Sequence, residues 1–197
     1  SLRVIDCLVC HATHGESQDG KLLRIYDTVR LPTGQVFSGV GAGATCMACH
    51  NGRTGPPVQN TTPSLSTPHY LLGGVMLEGV NGYAFGNTSL ENSAHTAQVG
   101  CTDCHMAPGP TSGPEVGKVG SHTFRLKDHD TGFENVENAC QRCHTGLTTI
   151  NRTARGDYDG DSATEGVQDE VSGLLASVLA QLQAKGAVQL PGHTYWD

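Results

Sequence analysis

The chain has 197 residues, enough for one domain or two small ones. It is acidic, with a formal net charge of -7, which excludes a protein that binds nucleic acid through its phosphates. No apolar run approaches the roughly 18 residues of a membrane span, and 37% hydrophobic residues with 5% aromatics leave little to fill a core unless something else supplies apolar bulk.

The N-terminus is expected to be that of a mature chain from which any targeting segment has already been removed. Residues 7–11 read CLVCH. The same C-x-x-C-H pattern returns at Cys46, Cys49 and His50, at Cys101, Cys104 and His105, and at Cys140, Cys143 and His144, so it absorbs all eight cysteines. Two thiols at this spacing can add to the two vinyl groups along one haem edge. The histidine that follows then lies under the iron as its proximal ligand. Paired C-x-x-C units also bind zinc, act as redox dithiols or close disulfides. None of those chemistries needs histidine in the fifth place four times. The motifs therefore predict four covalently attached haem c groups. Such attachment takes place outside the cytoplasm, so the chain is expected to be exported.

His14 sits three residues past His11, about one helical turn further on. It is tethered on the proximal side of its own ring and cannot pass round to the distal face. It is either a surface histidine or a ligand of a different haem. The stretch from Leu22 to Val40 reads as a hairpin turning at Pro32, Thr33 and Gly34. Beyond the second motif, His69 lies in STPHYLLGG, His95 in ENSAHTAQVG just before the third motif, and His122 in GSHTFRL just after it. In these polar, loop-like contexts a histidine has no packing reason to be present, and all three are read as distal iron ligands. His129, in LKDHD, reads as a solvated residue, and His193 lies near the chain end; either could instead fill a distal place. Six histidines outside the motifs against four irons make bis-histidine ligation feasible throughout. Met47 and Met106 lie in or beside a motif and are badly placed as ligands, and Met76 reads as an ordinary apolar residue.

The motifs begin at residues 7, 46, 101 and 140, so the outer intervals are equal and hint at two dihaem halves. In DYDGDSATEGVQDE, Asp157, Asp159 and Asp161 match the first three ligand positions of a calcium loop. The sixth position is Ser162 instead of glycine and the twelfth is Gln168 instead of glutamate. A calcium site and a solvated acidic helix start are the two readings. Val167, Val171, Leu174, Leu175, Val178, Leu179 and Leu182 then recur at helical spacing. Ser162 and Glu165 fit a capping box and Gly186 a C-terminal stop, predicting an amphipathic helix over about 163–185 that packs on the haem cluster. Its polar face lacks the basic cluster of a membrane-surface helix. Sequons at Asn60, Asn87 and Asn151 permit glycosylation of an exported chain. The expected fold is a loop-rich multihaem cytochrome c with short helices, one small β-hairpin and a C-terminal amphipathic helix, as a single domain over 1–197.

With these residues in place, the chain resembles the multihaem c-type cytochromes of metal-reducing microbes. The resemblance runs through PHYLLGGVMLEGVNGYAFG, NSAHT, CTDCHMA, SHTF, ACQRCH and DYDGDSATEGVQDEV. Within that group, a tetrahaem chain of this length with an early C-x-x-C-H-x-x-H is similar to the extracellular tetrahaem cytochromes that polymerise into conductive filaments (OmcE-type). The resemblance implies bis-histidine haems stacked in a continuous chain, with one axial histidine donated between subunits. On it, His14 is the donated ligand, directed at the haem on Cys140 and Cys143 of a neighbouring subunit, while His69, His95 and His122 serve within the chain. The implied partners are identical subunits in a head-to-tail filament and other redox proteins or extracellular electron acceptors. A monomeric periplasmic electron shuttle is the alternative, although compact tetrahaem shuttles use fewer residues per haem. A multihaem reductase needs an iron with an open position, and the histidine supply makes that unnecessary.

Overall fold

The computed structural model describes residues 6–12, 14, 21–32, 34–52, 72–80 and 92–188. His69, His193, Asn60 and Asn87 lie outside the described residues. The chain forms two compact units, Ser1–Leu126 and Lys127–Asp197. The first holds three C-x-x-C-H motifs and the second holds one. This three-to-one division differs from the two dihaem halves suggested by the equal outer intervals. Contacts between residues, which motif spacing does not encode, set the boundary.

In the first unit, β1 (Thr28–Arg30) pairs antiparallel with β2 (Val36–Ser38), with Val29 opposite Phe37. This is the centre of the expected hairpin, with shorter strands. Leu31 N donates to Gln35 O at 2.8 Å and closes the turn. At the far end Asp27 turns to a left-handed φ of 63°, and its N–H goes to Gly41 O, so β1 cannot extend backwards. Helix α1 covers Cys7–Cys10, α2 Gly43–Met47, α3 Gly73–Leu77 and α4 Cys101–His105. Val29, Leu31, Ala44, Met47 and Val75 form the apolar core, drawn from the hairpin, α2 and α3. Helix α3 seats on α2 because Gly74 has no side chain. Its N–H donates to His50 O at 2.7 Å, and a Cβ there would also fall 2.7 Å from that oxygen. Fully burying one aliphatic side chain contributes about 1.5–3 kcal/mol, so a core of this size is a modest source of stability.

The second unit is built differently. Helix α5 (Val136–Ala139) leads into the fourth motif, and α6 (Val167–Ala184) is the long helix of the unit. The sequence placed its start near 163 with a Ser162–Glu165 capping box, and the structure corrects both. Ser162 sits at a φ of 77°, and the cap position is Gly166, which has no side chain to cap with. Tertiary partners satisfy the first turn instead. Gln168 N donates to Asn151 Oδ1 at 2.8 Å, and Val167 N donates to Arg152 O at 2.8 Å. Asn151 Nδ2 also donates to Asp169 Oδ2 at 2.6 Å, so the amide of this sequon is committed to the helix start. The C-terminal stop is as expected: Gly186 has a φ of 95°, and Ala187 N donates back to Leu182 O at 3.0 Å. Val167, Val171, Leu174, Leu175, Val178 and Leu182 of the apolar stripe are exposed. Among the described residues no helix is long and apolar enough to cross a membrane.

Candidate cofactor-attachment site

Each C-x-x-C-H motif closes one helical turn. His11 N donates to Cys7 O at 2.8 Å, His50 N to Cys46 O at 2.8 Å and His144 N to Cys140 O at 2.9 Å, while Cys101–His105 is itself α4. Positions i, i+3 and i+4 of such a turn share a face. Every motif therefore sets two thiols and an imidazole on one side of the backbone. None of the eight cysteines is in a disulfide. Among the described residues, no three cysteine or histidine side chains gather closely enough to hold one zinc ion.

Two of the motif imidazoles are oriented by backbone carbonyls. His11 Nδ1 lies 2.7 Å from Lys21 O, and His105 Nδ1 lies 3.0 Å from Phe124 O. A carbonyl only accepts, so each Nδ1 carries the proton and each Nε2 keeps its lone pair. That is the tautomer a metal requires, held by the kind of outer partner that metal-bound histidines have. The residues thus fit a haem iron approached through Nε2. The sequence could not name Lys21 or Phe124, because a carbonyl partner is independent of side-chain type. The first motif is anchored further by an antiparallel bridge of His11 to Leu23, with Ala12 N donating to Leu22 O at 2.7 Å and Arg24 N to Cys10 O at 2.9 Å.

The second and third motifs meet at their first cysteines. The Cys46 thiol hydrogen-bonds Cys101; this contact lowers the Cys101 thiol and, with burial, pushes Cys46 up. The fourth motif lies in the second unit, where burial followed by the nearby Glu134 carboxylate raises the Cys140 thiol. Glu134 is itself a bridge. Its Oε1 accepts from Lys127 Nζ at 3.1 Å, and its Oε2 accepts from Thr149 Oγ1 at 2.8 Å and Ile150 N at 2.9 Å. Burial alone would raise the Glu134 carboxyl, but the donors, Ile150 N foremost, outweigh it and leave the group below its usual range.

The structure sorts the remaining candidates. Helix α1 ends at Cys10 and His11 is extended at φ -105° and ψ 142°, so the chain leaves the motif through Ala12 in extended form instead of continuing the helix. The helical-turn spacing expected for His14 is thereby corrected; His14 is exposed. His95 is exposed in a 3-10 turn over Ala94–Ala97, where Ser93 Oγ accepts its N–H at 3.1 Å. His122 is exposed in a second 3-10 turn, Ser121–Thr123, and its ring centre lies 6.3 Å from that of His11. His129 is exposed in a turn whose Thr131 Oγ1 donates to Asp128 Oδ2. Met47 is only 1% exposed, locked in the core, whereas Met76, expected as an ordinary apolar residue, is 73% exposed.

Asp157, Asp159 and Asp161 come together in a loop before α6. Ligand atoms of Asp157, Asp159 and Glu170 lie within 4.8 Å of one another, as do those of Asp159, Asp161 and Glu165. The three aspartates also cap local backbone: Asp157 accepts from Gly160 N and Ser162 N, Asp159 from Asp161 N, and Asp161 from Ala163 N. Gln168, the twelfth position of a calcium loop, points its N–H at Asn151 in the first turn of α6. The carboxylate that closes the loop is Glu170, which the sequence did not single out. It is 2% exposed and accepts from Tyr158 N at 2.7 Å, Glu165 N at 3.0 Å and Asp159 N at 3.3 Å. Those bonds, Tyr158 N first, hold it below the usual carboxylate range.

Comparisons with protein-family models, with curated proteins and with solved structures found no match for this chain.

Proposed function

We propose that the chain is an electron-transfer protein with four covalently attached haem c groups, and that it polymerises head-to-tail into an extracellular conductive filament. The observation that carries the reading is the set of four one-turn motifs, each presenting two thiols and an imidazole on one face. Haem, when bound, supplies an iron that cycles by one electron. The thiols of Cys7 and Cys10, Cys46 and Cys49, Cys101 and Cys104, and Cys140 and Cys143 fix its edge, and His11, His50, His105 and His144 are the proximal ligands. His69, His95 and His122 are the distal ligands within the chain. His14, exposed beyond an extended stretch leading away from its motif, is the ligand offered to a neighbouring subunit. A head-to-tail contact that does not close builds a filament. Full bis-histidine ligation leaves no open iron position, so the protein is a carrier and not an enzyme, with potentials toward the low end for cytochromes.

The mass of the purified chain and its pyridine haemochrome spectrum test the haem content. Electron microscopy and solution size separate filament from periplasmic monomer. His14→Ala should retain four haems, show one high-spin ferric iron and abolish filaments. Filaments with four low-spin haems in that variant would refute the role of His14, and a wild-type chain without covalent haem would refute the reading entirely.

A further inference from the structure

The rings of His11 and His122 lie 6.3 Å apart, centre to centre, with planes inclined at 39°. A first-row metal sits about 2 Å from an imidazole nitrogen, and the ring centre lies about 1 Å beyond that nitrogen, so two imidazoles on opposite sides of one iron stand about 6 Å apart. An ordinary ring contact covers a similar range, about 4.5–7 Å, so the separation alone does not decide. The surroundings do. His122 is exposed, with its ring edge-on to Phe124 of its own loop at 6.0 Å, and His11 is half-buried, so no buried apolar cluster draws the two histidine rings together. His11 Nδ1 is occupied by Lys21 O, which leaves Nε2 as its free lone pair.

The backbone that presents His122 is held in a costly shape. Gly120, Ser121 and Phe124 have φ of 74°, 49° and 57°, three left-handed residues within five positions, and two of them carry side chains. Such conformations persist only where surrounding structure over-determines them, and they gather at ligand sites. Here Ser121 N donates to Ala107 O at 2.9 Å, Gly120 N to Arg125 O at 2.8 Å and Thr123 Oγ1 to Gly120 O at 2.7 Å. A Cβ on Gly120 would fall 2.5 Å from Ala107 O, so this packing admits only glycine. The same loop supplies the Phe124 carbonyl that holds His105 Nδ1.

We propose that His122 is the distal ligand of the iron whose proximal ligand is His11, and that the Gly120–Phe124 loop thereby joins the first attachment motif to the third. This rests on the haem reading above and assigns one pair within it. His122 then serves no other iron, and His50, His105 and His144 draw their distal partners from the remaining histidines.

The test uses the haem-loaded full-length chain. His122→Ala should turn one of four ferric irons high-spin by magnetic resonance, and free imidazole should return it to low-spin. His122→Met should keep that iron low-spin with a raised potential. The pairing is read in the Cys7→Ala, Cys10→Ala background, where His122→Ala should add no high-spin iron. An added high-spin signal there overturns the assignment while leaving the haem reading intact. If that background accumulates too little protein, dipolar contacts in the paramagnetic NMR spectrum of the oxidised wild type decide. His11 and His122 ring protons should connect to the same haem methyls, and contacts of His122 to another haem overturn the pairing. A wild-type chain lacking covalent haem overturns both this and the parent reading.

Discussion

The two units reach order by opposite means. In the first, the buried residues are mainly apolar: Val29, Leu31, Ala44, Met47 and Val75 in one cluster, with Ala107 and Val119 elsewhere. Among the described residues of the second, Asp128, Asn135 and Glu170 are buried and the buried apolar residues are Val136 and Ala139, while most of the apolar stripe of α6 is exposed. A buried carboxylate is tolerable only when donors surround it. Asp128 accepts from Asp130 N and Thr131 Oγ1, and Glu170 from three backbone N–H groups. The first unit should therefore answer to the volume of its side chains and the second to the charge state of its carboxylates.

The largest expected effect removes the apolar bulk both units lack. On the haem reading, Cys101→Ala with Cys104→Ala should give little stable protein, because the polypeptide core is too small to hold the first unit. Normal yield with a native-like thermal transition would show that the hairpin core suffices.

Met47→Ala comes next, at about 2–4 kcal/mol, the usual range for emptying a fully buried methionine site. Hydrogen exchange resolved along the chain should show faster exchange around the hairpin and α2 and unchanged protection in α6. Equal loosening of α6 would mean that the two units unfold together and that the contrast between them is not energetic.

Glu134→Gln should cost about 1 kcal/mol, since three donors lose a charged acceptor that is partly open to solvent. Its sign in pH follows from the lowered carboxyls of Glu134 and Glu170. A depressed folded-state pKa adds stability above the unfolded value, about 4.3 for glutamate, and that stability is lost as pH falls through the lower folded value. Acid should thus loosen Lys127–Ala184 before it loosens the hairpin, and Glu134→Gln should flatten part of that dependence. Exchange measured from neutral pH down to about 3 checks it, and simultaneous loss in both units would break the comparison.

The smallest effect concerns the pair Lys118–Glu115, 3.6 Å apart with a lysine half open to solvent. Lys118→Ala should move the unfolding midpoint by at most a degree or two, because exposed ion pairs are worth about 0–1 kcal/mol.

Local geometry explains what was legible in the sequence. A C-x-x-C-H run needs only one helical turn to bring its thiols and imidazole to one face, so spacing alone settled that arrangement at all four motifs. The turn between β1 and β2 and the stop at Gly186 are equally local, each closed by hydrogen bonds spanning a few residues. Everything that depended on distant segments was settled by tertiary structure. The start of α6 moved to Val167 because Asn151 and Arg152 reach its first N–H groups, where the sequence had offered a self-contained capping box. Met47, which the sequence only set aside as a ligand, became core because the hairpin and α3 close over it. The partners of His11 were beyond the sequence for the same reason. Lys21 contributes only its carbonyl, and His122 arrives from beyond the third motif on a loop whose left-handed turns are fixed by Ala107 and Arg125. A motif specifies which atoms can bind; chain closure over long separations decides which of them meet.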